Sequence, residues 1–228
     1  MAIVKKYKSE VVDIQNPVSD IFIAKFKSDK KFKYKPGQFL HIALDEYDPS
    51  QPWPESRCFS MQSNPSMDEI KITFSVKGVY TKRMAKELAQ GKMVYLKMPY
   101  GDLFSGHFNK DNCVFIAGGT GITPYLSLFT SDSFKEYSHP TLYFGLKDDT
   151  YHFYNEELDV AKNNNRDVVI HVLNESTDGR LNIEKIFTAH GPESVYFISG
   201  PPEMIKNFKE YLLNSNVPES NVITDDWE

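Results

Sequence analysis

The sequence predicts two halves of different fold class, β followed by α/β: an antiparallel β-barrel over residues 1–108 and a five-stranded parallel α/β domain over residues 109–228. Two observations carry this. The first half is built of short β-rich runs separated by turn residues, several of them alternating apolar and polar as half-buried strands do. In the second half, β-type runs begin at Cys113, Thr141, Val168, Val195 and Val222, at intervals of 28, 27, 27 and 27 residues. That spacing leaves room for a crossover helix between successive parallel strands.

Taken in order, the barrel strands are predicted around Ile21–Ala24, Gln38–Leu44, Ile70–Val76 and Met93–Leu96. Pro36-Gly37 and Gly91-Lys92 punctuate them as turns. Many short antiparallel strands close most simply as a small barrel. One helical stretch, Thr81–Ala89, interrupts them, and the halves join near residues 105–111. In the second half, helix-compatible stretches lie at 124–131, 154–162, 182–190 and 203–214. These segments share no sequence, so the period reflects topology and not a repeat.

Composition excludes several classes. With 16 Phe, 13 Tyr and 2 Trp in 228 residues, the chain has ample material for a core and is not a disordered one. The purest apolar run, Cys113–Ala117, is far shorter than the ~20 residues of a spanning helix. Lys5, Lys6 and Lys8 interrupt the N-terminus, so no signal peptide is expected there. Cys58 and Cys113 are the only cysteines, which excludes a disulfide scaffold, a four-Cys zinc site and an intrinsic Cys-ligated iron–sulfur cluster, and fits a reducing cytoplasmic setting. The six histidines show no metal-ligand spacing, so no metal is expected. Charge is uneven: residues 1–108 carry 17 Lys/Arg and 12 Asp/Glu, residues 109–228 carry 9 and 19. The acidic total and the lack of a recognition motif argue against nucleic-acid binding.

The most informative segment follows the strand at Cys113–Ala117: Gly118-Gly119-Thr120-Gly121-Ile122-Thr123-Pro124. Glycines let backbone N–H groups approach an anion with no Cβ in the way. Thr123 is predicted as N-cap and Pro124 as first residue of the next helix, whose N-terminus suits a pyrophosphate. A second strand end, Val195–Ser199, runs into Gly200-Pro201-Pro202-Glu203-Met204, where Gly200 permits close approach of a ligand. Both lie at carboxyl ends of parallel strands, where open α/β sheets bind ligands.

Together these segments resemble the ferredoxin–NADP reductase superfamily, a flavin barrel of six strands followed by a nicotinamide-nucleotide domain, over nearly the whole chain. Arg57-Cys58-Phe59-Ser60 is similar to the family's Arg-x-Tyr-Ser flavin motif, and Gly78-Val79-Tyr80-Thr81, just after Val76, to its pyrophosphate motif Gly-x-x-Ser/Thr. Gly101-Asp102-Leu103-Phe104 loosely resembles the Gly-x-Phe that closes the barrel, residues 118–124 match most specifically, and Ser199-Gly200-Pro201 stands where the family has Cys-Gly-Pro.

The resemblance implies a flavin held by Arg57, Cys58, Phe59, Ser60, Val76, Gly78, Val79, Tyr80 and Thr81, with FAD favoured over FMN because the 78–81 motif suits a pyrophosphate. Arg57 would fork onto a flavin phosphate. Ser60 would hydrogen-bond near flavin N5, Phe59 would pack on the ring, and Thr81 would cap the helix behind a phosphate. The nicotinamide nucleotide would lie on Gly119, Thr120, Gly121, Thr123, Pro124, Glu175, Gly200, Pro201 and Met204. Ser60, Ser199 and Trp227 are the expected catalytic positions, Trp227 as an aromatic covering the flavin face until nicotinamide arrives. Glu175 occupies the slot where NADP-specific relatives place Arg; its carboxylate would repel a 2′-phosphate and accept from a ribose hydroxyl, so NADH is favoured, while Arg180 keeps NADPH open. The implied activity is hydride transfer from NAD(P)H to flavin, then electron transfer to a separate protein of ferredoxin, flavodoxin or oxygenase type. Two alternatives remain: an NAD(P)H:flavin or small-acceptor reductase, and a non-catalytic flavin- or nucleotide-binding regulatory module.

Overall fold

A computed structural model describes residues 3–225. It divides into two compact units, Met1–Asp102 and Leu103–Glu228. Leu103, Phe104 and Phe108, which the sequence placed with the barrel, pack on the aromatic core of the second unit.

The first unit holds β1 (Lys5–Val18), β2 (Ile21–Lys27), β3 (Phe39–Ala43), β4 (Ser56–Ser60), β5 (Glu69–Ser75), α1 (Val79–Glu87) and β6 (Met93–Tyr100). The strands form one antiparallel sheet in the order β4-β3-β6-β1-β2-β5. It curls into a near-barrel: past the end of β4, the Gln62 amide donates to the Lys71 carbonyl of β5 at 2.8 Å, bringing the two edge strands together. All four predicted barrel strands are present. β1 was not predicted, because lysines break its pattern. It nevertheless alternates, burying Tyr7, Ser9 and Val11 while Lys6, Lys8 and Glu10 face outward. The interior is filled by residues such as Phe26, Leu40, Ile72 and Leu96, each no more than 1% exposed, and each such buried side chain contributes about 1.5–3 kcal/mol. α1 covers one end, inserting Tyr80 and Met84, one turn apart, into this core.

The second unit holds β7 (Cys113–Gly118), α2 (Thr123–Phe129), β8 (Thr141–Leu146), α3 (Asn155–Asn164), β9 (Val169–Asn174), α4 (Glu175–Asp178), α5 (Ile183–His190), β10 (Val195–Ser199), α6 (Pro202–Asn214) and β11 (Val222–Thr224). Its parallel sheet runs β11-β10-β7-β8-β9. Every strand starts at the predicted residue or one later. β7 and β10 sit centrally and are buried almost completely, which is why they read as unbroken apolar runs. Phe115 and Phe197 stack across them at 5.0 Å on the face covered by α2 and α3. The opposite face packs Ile116, Tyr196 and Ile198 beneath α5 and α6. No helix among the described residues is long and apolar enough to cross a membrane.

Candidate functional site

In the barrel unit, the fold unites two motifs that lie 21 residues apart in sequence, at Arg57 and Gly78. Tyr80, on the first turn of α1, is the post between them. It is 3% exposed, and its hydroxyl donates to the carbonyls of Ile42 at 2.8 Å and Glu55 at 3.1 Å. Burial pushes that hydroxyl up to about 12, so it stays a donor. The guanidinium of Arg57 lies over the Tyr80 ring, 4.9 Å from its centroid, and donates to the Ser56 carbonyl and to Glu55 Oε1 at 3.0 Å. Arg57 is thus aimed at the N-terminus of α1, with half of its side chain still open to solvent.

That N-terminus departs from the sequence expectation. The N-cap is Gly78, not Thr81, and α1 starts two residues earlier than predicted. Thr81 is the third helical residue; its Oγ1 accepts from the amides of Lys77 at 2.9 Å and Gly78 at 3.0 Å, fixing the turn from inside. Helix geometry leaves the amides of Val79, Tyr80 and Thr81 without intrahelical partners. On the outside of this turn Val79 is 89% exposed and, among the described residues, a Cβ at Gly78 would meet nothing within 4 Å. A helix start with an exposed Gly78–Val79 turn beside a guanidinium fits the pyrophosphate of FAD.

Along β4, side chains alternate. Phe59 turns to the barrel core, tilted against Phe74 at a 6.0 Å centroid separation, so its ring is engaged inside the barrel. Ser60 and Cys58 point to the other face, Ser60 opposite Phe39 and Cys58 opposite His41 in β3. Val76 packs on the core and its amide donates to Asp20 O at 2.8 Å.

In the α/β unit, β7 ends at Gly118 and a 3-10 turn, Gly119–Ile122, leads into α2. Thr123 is therefore the first helical residue and not the N-cap; its hydroxyl donates back to Thr120 O at 2.9 Å. Pro124 follows it, and both are buried. Gly121 is demanded by close approach: a Cβ there would lie 2.5 Å from the Ser199 carbonyl oxygen. Gly119 has φ +56° and open space where its side chain would be. It lines a cleft of about 500 Å³ together with Gly118, Pro201, Met204, Glu175 and Arg180. Lys147, Glu203 and Asn207 complete the polar wall, and none of these three was singled out in the sequence. Pro201, Met204, Glu175 and Gly119 thus line one cleft. Glu175, the first residue of α4, receives a hydrogen bond from Arg180 Nε at 2.6 Å, which holds the guanidinium's pKa above its usual value.

Ser199 is 2% exposed, and its hydroxyl donates to Asp225 Oδ2 at 2.9 Å. Asp225, itself 8% exposed, follows β11, where its amide donates to Ile198 O at 2.9 Å. Sequence reading missed Asp225, since only the parallel pairing of β10 with β11 brings it to Ser199. Its carboxylate and full burial together push the Tyr125 hydroxyl well above its usual pKa, burial being the larger cause. Trp227 lies outside the described residues.

Comparison with known proteins identifies both halves of the chain. A family profile described as FAD-binding domain matches residues 4–142, and one described as oxidoreductase NAD-binding domain matches residues 115–210. The reductase component of propane 2-monooxygenase from Mycolicibacterium smegmatis is 28% identical over 98% of this chain and 68% of its own length. Dual oxidase 1 of Caenorhabditis elegans is 28% identical over 68% of this chain, which spans only 11% of that protein. Among solved structures, a ferredoxin NADP+ reductase from Neisseria gonorrhoeae with bound FAD and NADP aligns with TM-score 0.77 at 16% identity, covering 94% of this chain and 92% of its own. An Amycolatopsis cytochrome P450 reductase aligns with TM-score 0.83 at 14% identity, over 99% of this chain and 71% of its own. The chain belongs to the FAD-binding domain family and, with its NAD-binding domain, to the ferredoxin reductase-like superfamily of FAD- and NAD(P)-dependent oxidoreductases.

Proposed function

We propose that the chain takes reducing equivalents from NADH and delivers them to a separate redox protein. The observation that carries this reading is the presence in one chain of two distinct anion-binding ends: Arg57 with the open start of α1, and the glycine turn after β7. The first suits the FAD pyrophosphate, the second that of the nicotinamide nucleotide. Bound FAD supplies the redox chemistry, accepting a hydride and giving up its electrons. The chain's own residues supply position. Arg57 neutralises a flavin phosphate, and Ser60, on the outer face of β4, offers a hydroxyl to the flavin ring. The turn at Gly118–Ile122 admits the nucleotide backbone closely. The Ser199–Asp225 hydrogen bond fixes the rim of β10, where it would help orient the nicotinamide end of a bound nucleotide.

The preference for NADH rests on Glu175. Glu175 lines the cleft and its carboxylate engages Arg180, the cation that would otherwise receive a 2′-phosphate. The reading of a separate protein acceptor is supported by the propane 2-monooxygenase reductase component and by the structural likeness to the ferredoxin reductase of carbazole 1,9a-dioxygenase. With only two cysteines, Cys58 and Cys113, the chain fits a reducing, cytoplasmic setting. An anaerobic absorbance spectrum of the purified protein tests the core of the reading. A flavin spectrum that bleaches on addition of NADH is expected; a protein that takes up no flavin, or a flavin left oxidised by NADH and by NADPH, overturns it.

A further inference from the structure

A sheet edge offers unpaired backbone groups to any strand that meets it, and proteins blunt such edges by shortening, charging, kinking or covering them. The edges of the barrel sheet, β4 and β5, are drawn together by the Gln62–Lys71 hydrogen bond. In the α/β unit, the edge strand β11 is three residues long. The opposite edge, β9, has none of these protections. It reads Val169-Ile170-His171-Val172-Leu173-Asn174, six residues without a lysine, a proline or a carboxylate, and its pairing with β8 runs without a bulge. Val169 is 48% exposed and Val172 37%, and His171 between them is exposed as well.

The free side of β9 is defined by its bonds to β8. The Val169 amide donates to Pro140 O at 3.0 Å, so the backbone groups of Val169, His171 and Leu173 turn toward β8. Those of Val168, Ile170 and Val172 therefore turn outward. The next outward amide, that of Asn174, is taken by Asp178 Oδ2 at 2.9 Å, and the strand ends there in α4. The side chains alternate in step. Val168 and Ile170 lie against the core on the side of α2 and α3, and Val172 continues their row. The free backbone groups thus belong to a row of β-branched apolar residues. The ends of β9 carry opposite charge. Arg166, exposed in the turn that leads into the strand, has no ion pair among the described residues. At the far end Asp149, also exposed, accepts from Asn174 Nδ2 at 2.8 Å and has no cation beside it among the described residues.

We propose that β9 pairs antiparallel with β9 of a second copy of this chain, about a two-fold axis at Ile170, so that one sheet runs through a dimer. In this register the two Ile170 residues exchange both backbone hydrogen bonds, and each Val172 amide donates to the other copy's Val168 carbonyl. Ile170 meets Ile170 and Val168 meets Val172 on the same face, the cross-strand pairs that stabilise a sheet. Arg166 of each copy comes alongside the Asn174 end of the other, where Asp149 stands. An axis at His171 would instead bring Asp167 toward Glu175, like charge to like. An axis at Val172 would need the Asn174 amide that Asp178 already holds. A second copy fits better than a foreign strand because both the apolar row and the end charges are complementary to themselves. The two-fold closes the assembly, since the dimer uses the long edge of both copies and leaves only β11 outside. The pairing draws on neither anion-binding end and stands apart from the reductase reading.

The test is sedimentation velocity of the full chain as purified, from about 1 to 200 µM. An interface of this size is expected to give a reversible monomer–dimer equilibrium with Kd on the order of 10 µM. V172K, which places a lysine on the free edge, is expected to weaken the dimer about tenfold or more while its melt is kept. R166D and D149R are each expected to weaken it about threefold, and the two together to recover most of the loss. I170C is expected to be trapped as a covalent dimer by glutathione disulfide, because a hydrogen-bonded antiparallel pair sets its Cα atoms about 5.5 Å apart, within disulfide reach. The wild-type chain and H171C are expected to stay uncrosslinked. A monomer at every concentration overturns the proposal. So does a dimer that V172K leaves intact and I170C does not trap, trapping by H171C in place of I170C, or growth beyond the dimer.

Discussion

The barrel builds its candidate anion site with side chains, whereas the α/β unit builds its own by leaving them out. In the barrel, Arg57 is carried on the ring of Tyr80, and Tyr80 is pinned by two carbonyls from different segments. In the α/β unit, Gly121 presses against the Ser199 carbonyl and Gly119 opens into the cleft. The difference teaches where each site is vulnerable. A side-chain site loses affinity when a side chain is trimmed and leaves the fold nearly untouched. A backbone site fails when an atom is added, and the fold suffers with it.

The largest expected effect follows from the second half of that contrast. Gly121→Ala places a methyl group 2.5 Å from a backbone oxygen, where no flexible side chain gives way. Overpacking of this kind costs about 1–3 kcal/mol or more. The α/β unit is expected to melt several degrees lower and to lose about 100-fold in NADH affinity, while FAD retention is kept. Calorimetry and NADH titration check this; an unchanged melt with unchanged NADH affinity removes the backbone-cradle account.

Arg57→Ala probes the barrel in the opposite sense. A charged hydrogen bond to a phosphate is worth about 1.5–3 kcal/mol, so FAD affinity is expected to fall roughly 10- to 100-fold. The apoprotein melt is expected to stay within about a degree, because the Arg57–Glu55 pair is half-exposed and such pairs contribute about 0–1 kcal/mol. Equilibrium dialysis of FAD and an apoprotein melt separate the two. A large loss of apoprotein stability contradicts the division drawn here.

The same contrast governs what could be read from the sequence. The parallel strands were legible because both of their faces are buried, so each reads as an apolar run, and the crossover imposes a steady spacing. The glycine turn was legible because glycines mark backbone approach. β1 was hidden because Lys6, Lys8 and Glu10 mask an alternation that only the burial of Tyr7, Ser9 and Val11 reveals. The capping of α1 was misread because Thr81 and Gly78 are both good candidates for the cap, and Thr81 serves from inside the helix. Asp225 was invisible, since its partner Ser199 is 26 residues away in sequence and meets it only through strand pairing. Local signals are legible; side chains that acquire meaning through long-range pairing are not.

Glu175→Ala sharpens the comparison within the α/β unit, whose cleft does rely on one side-chain pair. Removing the carboxylate releases Arg180 and takes away a repulsion, so the NADPH/NADH ratio of kcat/KM is expected to rise about tenfold, equivalent to ~1.4 kcal/mol. Glu175→Ala with Arg180→Ala is expected to lose most of that gain. A ratio unmoved by either change takes nucleotide choice away from this pair.

The smallest expected effect is on pH, and here the two units behave alike. His41 in the barrel is held below the usual imidazole range by burial and, secondly, by Lys97; His190 at the end of α5 is lowered by burial and, secondly, by His171. In both cases folding favours the neutral ring, so the unfolded chain binds the proton more readily. Their contribution is complete above the unfolded value of 6.5 and is lost as pH falls through it toward the lower folded values. A modest decrease in Tm between pH 7.5 and pH 5.5 is expected, and His41→Gln should diminish it. The effect of His190→Gln is mixed, because the ring nitrogen of His190 also lies 3.0 Å from the Tyr143 hydroxyl, a contact that the amide must replace. A Tm that rises over the same acid range removes the claim that these two rings are neutral in the folded protein.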